Sequence, residues 1–128
     1  MVYSILKDFT SEQDFKTWFL QDIREKEPDV RVFPIETEET VPGFPDAVVL
    51  GQDKKTRLYE FKYADKKGVI TFRKTQAQFF ILTDGFASID IVAYDRMCNV
   101  YHIFPAKSLF TPASPYYMTK HLQVVLPR

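Results

Sequence analysis

A single cysteine, Cys98, leaves no partner for an intrachain disulfide and fits a reducing, intracellular (cytoplasmic) setting. No cysteine–histidine cluster offers a zinc site, and His102 and His121 lack the sequence neighbours of a catalytic triad. Glycine occurs four times and forms no phosphate-cradling loop. That absence, with the lack of a nucleophile motif, disfavours a small-molecule enzyme. No apolar run approaches the roughly 18 residues of a membrane span. The opening Met1-Val2-Tyr3-Ser4-Ile5-Leu6-Lys7 is too short for a signal peptide. Repeats and low-complexity segments are absent, and the formal net charge is zero.

What is present is a core. Of 128 residues, 45% are hydrophobic and 16% aromatic, which suits one domain spanning 1–128. Thr10 or Ser11 can cap a helix that runs to about Glu27 and stops at Pro28. Phe15, Trp18, Phe19 and Ile23 make its apolar stripe. Residues 29–35 form a short strand candidate, and 36–43 a loop. Residues 47–50 and 57–63 read as two strands joined by the turn Gly51-Gln52-Asp53-Lys54-Lys55. After a polar loop at 64–68, a second helix begins between Thr71 and Thr75 and ends at Asp84-Gly85. Residues 88–94 and 99–104 read as a hairpin, 106–110 as a helical turn, 111–117 as a loop and 122–126 as an edge strand. The order predicts an α/β fold, helices flanking a mixed sheet.

The second strand carries unusual residues for its place. Leu58, Glu60 and Lys62 share one face, and Tyr59, Phe61 and Tyr63 the other. Charges buried in an apolar strand cost several kcal/mol unless they are paired or hold a metal. With Asp46 at the start of the preceding strand, two carboxylates and a lysine converge. Such a set suits a hard divalent cation, which takes oxygen ligands. The plainer alternatives are a turn role for Asp46, a cross-strand salt bridge for Glu60 and a surface position for Lys62.

Pro45-Asp46, thirteen intervening residues, then Glu60-Phe61-Lys62 resembles the signature of the PD-(D/E)xK nuclease superfamily. Gly43-Phe44-Pro45-Asp46 and a helix opening with Gln76 before Phe79-Phe80 are most similar to its VRR-NUC and archaeal Holliday junction resolvase branch. The resemblance covers roughly residues 12 to 95. It implies a restriction-endonuclease-like core of α-β-β-β-α-β order and a metal-dependent nuclease. In that reading Asp46 and Glu60 hold Mg²⁺ or Mn²⁺, with Glu12 of the first helix as a further ligand and Glu36 or Glu39 as loop rivals. Lys62 positions the attacking water and Gln76 supports it, with Gln78 as the rival amide. The implied substrate is nucleic acid, DNA of branched, flap or junction form, cut by a homodimer. A nuclease fold that only binds or assembles is the alternative.

Charge is segregated along the chain. Residues 8–46 hold eleven acids and four bases, whereas 54–74 hold eight bases and two acids. Lys54, Lys55, Lys66, Lys67, Arg73 and Lys74 are therefore candidate phosphate contacts. Arg73 and Lys74 open a helix, where an anion would relieve the unfavourable dipole. The plainer reading of this stretch is a solvated, lysine-rich edge that discourages aggregation.

Overall fold

The computed structural model describes residues 2–5, 7–35, 43–110 and 123–125. The Glu36 and Glu39 alternatives, His121 and the 111–117 loop lie outside them. The elements are β1 (Val2–Ser4), α1 (Glu12–Lys26), β2 (Arg31–Pro34), β3 (Ala47–Leu50), β4 (Thr56–Tyr63), β5 (Val69–Thr71), α2 (Lys74–Thr83), β6 (Ser88–Asp95), β7 (Val100–Pro105), a 3-10 turn (Ala106–Phe110) and β8 (Gln123–Val125).

Six strands make one mixed sheet in the order β1-β7-β6-β4-β3-β2. β3 and β4 pair antiparallel, with Ala47 opposite Tyr59 and Leu50 opposite Thr56, as the short turn predicts. β4 and β6 run parallel, the one parallel pairing in this sheet, and α2 makes the crossover between them. The 88–104 hairpin forms as expected. β1, which pairs with β7, and β5, which pairs with β8 in a separate parallel ribbon, were not anticipated. Each is three residues long, too short for alternation to register. β8 falls inside the expected 122–126 strand.

Alternation along the central strands fills both faces. On one face α1 buries Phe15, Phe19, Leu20 and Ile23 against Ala47, Val49, Tyr59, Phe61, Val92, Tyr94 and Tyr101. Phe15 is fully buried, stacked on Tyr94 at 5.2 Å and edge-on to Phe61 at 6.1 Å. Removing a ring of this kind costs about 3–5 kcal/mol. On the other face, Leu58, Ile89, Ile91, Ala93 and Phe104 meet Ile70, Phe72, Phe80 and the 3-10 turn.

Ser11 caps α1 by accepting a hydrogen bond from the Asp14 N–H at 3.1 Å. Pro28 follows soon after the last helical turn. Gly85, at φ +85, lies just past α2, where a left-handed residue ends the helix cheaply. Among the described residues no helix is long and apolar enough to cross a membrane.

Candidate active site

Glu60 and Lys62 stand on the face of β4 that α2 covers. Asp46 precedes β3 by one residue, so the antiparallel register brings it beside them. Its backbone carbonyl accepts from the Ile35 N–H at 2.6 Å, and its side-chain Oδ2 accepts from the Phe61 N–H at 2.9 Å. The Asp46 and Glu60 carboxyls are within hydrogen-bonding reach of each other. The structure therefore brings together the carboxylates and the lysine singled out in the sequence.

Gln76 explains how they are held. It occupies the third position of α2, where a glutamine side chain can reach back to the N–H that opens the helix. Its Oε1 accepts from the Arg73 N–H at 2.9 Å and from the Lys62 ammonium at 2.9 Å. Its Nε2 donates to Glu60 Oε1 at 2.6 Å. One helix-capping amide thus fixes both Glu60 and Lys62 of β4. Gln76 and Glu60 are each only 2% exposed, so this network is internal, whereas the rival Gln78 is exposed.

The approach of α2 depends on residue 43. Gly43 adopts φ +83, and a Cβ there would collide with the Thr75 carbonyl. Phe44 packs edge-on against Phe79 at 5.3 Å. The Gly43–Asp46 segment is therefore seated on the first turn of α2, which explains the glycine of the Gly-x-Pro-Asp sequence.

Titration follows from crowding. Burial pushes the Asp46 carboxyl above the usual carboxylate range, against the opposing effects of the Phe61 N–H, Lys16, Lys62 and Glu60. Burial likewise lowers the Lys62 ammonium, while Glu60, Glu12 and Asp46 pull it back up. The Lys62 ammonium also lies 4.7 Å above the Phe72 ring. Glu12 is exposed as a residue. Desolvation of its carboxyl, then the Asp46 charge, nonetheless raises its pKa, with Lys62, Lys16 and Arg73 opposing. Glu12 therefore borders the site at the start of α1.

Could this set hold a cation? Among the described residues no group of three or more His, Cys, Asp and Glu side chains forms a ready-made metal cluster. The donor chemistry nonetheless fits one hard ion. Two neighbouring carboxylates repel each other unless a proton or a cation lies between them, and a hard divalent ion takes carboxylate oxygens. Sequence reasoning missed Lys16. It is only 7% exposed, and its charge acts on both Asp46 and Glu12. The signal was legible: Lys16 lies within the stripe of Phe15, Phe19, Leu20 and Ile23.

The basic residues divide. Lys66 and Lys67 are exposed in the turn after β4, the end where Lys62 stands. Asp65 holds that turn by accepting from the Lys67 N–H at 2.8 Å and the Val69 N–H at 3.0 Å. Arg73 and Lys74 are exposed at the start of α2, whose first turn contains no acid. Lys54 and Lys55 are not brought to the site. They occupy the opposite end of the β3–β4 hairpin, beyond Leu50, about 13 Å or more along the strand at ~3.3 Å per residue. His102 is buried in β7 and Cys98 exposed in the β6–β7 turn, and neither stands on the elements that carry Asp46, Glu60 and Lys62.

No protein-family model matches the chain, and no curated protein matches it. Among solved structures it is similar to Hjc of Archaeoglobus fulgidus, a Holliday junction resolvase from an archaeal hyperthermophile. The TM-score is 0.53 at 14% identity, over 80% of this chain and 83% of that one. The likeness shows the fold alone, a mixed α/β sheet with two helices.

Proposed function

We propose that this chain is a metal-dependent nuclease that hydrolyses phosphodiester bonds in DNA of branched, flap or junction form. The observation that carries the reading is the joint placement of Asp46, Glu60 and Lys62, tied through Gln76, on a fold shared with a Holliday junction resolvase. A structural role for the same residues would not require a buried lysine–amide–carboxylate relay beside a second carboxylate.

Asp46 and Glu60 would hold Mg²⁺ or Mn²⁺, with Glu12 as the neighbouring third carboxylate. When bound, such an ion polarises the phosphate and lowers the pKa of water. The chain's own residues do the rest. The Phe61 N–H fixes one Asp46 oxygen, so the carboxyl is aimed before any ligand arrives. Gln76 holds Glu60 in the same way. Lys62, with its pKa lowered by burial, keeps its ammonium at the site to orient a water and offset phosphate charge. Lys66, Lys67, Arg73 and Lys74 supply phosphate contacts around that end of the sheet. Lys54 and Lys55 would meet only a duplex arm that extends along the hairpin.

A domain of this size leaves little surface for base readout, so strand arrangement is the better recognition element. A homodimer would present two sites to two strands. The test is cleavage of single-stranded, duplex, flap and four-way DNA in Mg²⁺ or Mn²⁺. Metal-dependent cleavage favouring the branched forms is expected. Inert chains that bind DNA would support a binding module instead.

A further inference from the structure

Two turns leave the sheet together. β4 and β6 run parallel, so the turn after β4 and the β6–β7 turn lie at the same end, where Lys62 stands. They are tied to each other: the Ala64 N–H donates to the Tyr94 carbonyl at 2.9 Å. Each is braced by an aspartate. Asp65 accepts from the Lys67 and Val69 N–H groups, and the fully buried Asp95 accepts from the Met97 N–H at 3.0 Å. The Arg96 guanidinium lies 6.0 Å from the centre of the Tyr63 ring, whose hydroxyl donates to the Phe9 carbonyl at 2.7 Å. The two turns therefore form one braced tip.

What the tip presents is an apolar side chain framed by cations. Met97 is 64% exposed, with exposed Arg96 beside it and exposed Lys66 and Lys67 on the adjoining turn. Against these three cations the two turns expose one carboxylate, Asp65, and the turn itself occupies it. An apolar protein groove would strip the three cations of water without pairing them. A plain phosphate backbone would pair the cations and leave Met97 in water. A point where nucleic-acid strands part satisfies both, with phosphates on either side and unstacked base faces between them. Methionine is among the apolar side chains that wedge against base steps.

We propose that the Arg96–Met97 turn is a branch-point wedge: Met97 packs on the base unstacked where DNA strands part, while Arg96, Lys66 and Lys67 hold the phosphates beside it. The proposal rests on the nuclease reading above and names what selects the branch. It also sets a ruler. Lys62 is opposite Ala93 on β6, and Met97 follows four residues later. At ~3.3 Å per residue the tip lies at most about 13 Å beyond Lys62 along the strand, or about four nucleotides at ~3.4 Å each. Cuts should fall within that distance of the branch.

The test is binding of the full chain, in EDTA so that no metal-dependent cleavage occurs, to flap and four-way DNA with 2-aminopurine at the branch or within an arm. Wild type should raise the fluorescence at the branch and leave the arm unchanged. Met97→Ala should abolish the rise and cut the preference for branched over duplex DNA about tenfold, the scale of burying one methionine side chain. Met97→Leu should keep both. Arg96→Gln should weaken binding to branched and duplex DNA alike and flatten the salt dependence. Met97 is exposed, so these variants should fold, which circular dichroism checks. A wild-type rise and wild-type branch preference in Met97→Ala would overturn the proposal and assign Met97 to solvent or to a protein partner. Wild type that binds none of these DNAs would overturn the nuclease reading along with it. Branch-selective binding with no rise at the branch would remove only the wedge.

Discussion

The Gln76 side-chain oxygen receives the Lys62 ammonium at 2.9 Å, and the same amide's nitrogen reaches Glu60 at 2.6 Å. A residue that begins as a helix cap therefore sets the geometry of a lysine and a carboxylate. Gln76→Ala should lower kcat by about 10–100-fold with little change in KM, because it loosens Lys62 without removing it. Loss of the buried amide should also cost about 1–3 kcal/mol of stability. Steady-state cleavage and thermal melts of the purified variant measure both. Unchanged kcat with the same loss of stability would mean that Gln76 is only a cap.

Direct removal of the charged groups should be more severe. Asp46→Asn, Glu60→Gln and Lys62→Met are each expected to reduce cleavage by at least 10²–10⁴-fold, the scale of acid–base and metal activation. These near-isosteric changes are chosen because Glu60 is buried and bonded to Gln76. Circular dichroism should show an intact fold. Robust cleavage by Glu60→Gln would assign the activity to another site.

The pH dependence follows from Asp46. Its folded pKa lies above its ordinary value, chiefly through burial, so the folded, metal-free protein takes up a proton before the unfolded chain does. Stability from this group is present at low pH and lost as pH rises through the raised folded value. Asp46→Asn should therefore stabilise the metal-free protein at pH 7, and the gain should vanish below the ordinary aspartate range. Denaturant midpoints at pH 7 and near pH 3.5 test the sign. Mn²⁺ affinity should fall with pH from above the usual carboxylate range, since metal and proton compete for the same oxygens.

Salt dependence separates the two groups of lysines. If Lys66 and Lys67 meet phosphates, replacing both with alanine should flatten the slope of log K against log salt by about 0.9 per contact on duplex arms. Lys54→Ala with Lys55→Ala should leave the slope unchanged on short substrates, because those residues sit at the far end of the hairpin. Equal slopes for wild type and the Lys66/Lys67 variant would assign that turn to solvent.

Both helices and the β3–β4 and β6–β7 pairs were legible from capping residues and alternation, which are local signals. Asp46, Glu60 and Lys62 stood out because charge on an apolar strand is costly. Gln76 was legible as a polar residue one turn from Phe79 and Phe80, but its bond to Glu60 spans two elements and has no local signature. β1 and β5 depend on partners distant in the chain, and three residues carry too little pattern to announce them. Lys16 carries no motif of its own, although a lysine between Phe15 and Phe19 breaks the apolar stripe. Lys54 and Lys55 were grouped with the site because they are near it in sequence. An antiparallel hairpin sends its turn away from its open end, and the site is at the open end.

The central claim is that Asp46 and Glu60 share one cation beside Lys62. Crystals soaked in Mn²⁺ and measured at the manganese absorption edge test it most directly. The account predicts one anomalous peak between the two carboxyls, absent in Glu60→Gln. A peak bound elsewhere, or none at saturating Mn²⁺, would contradict it.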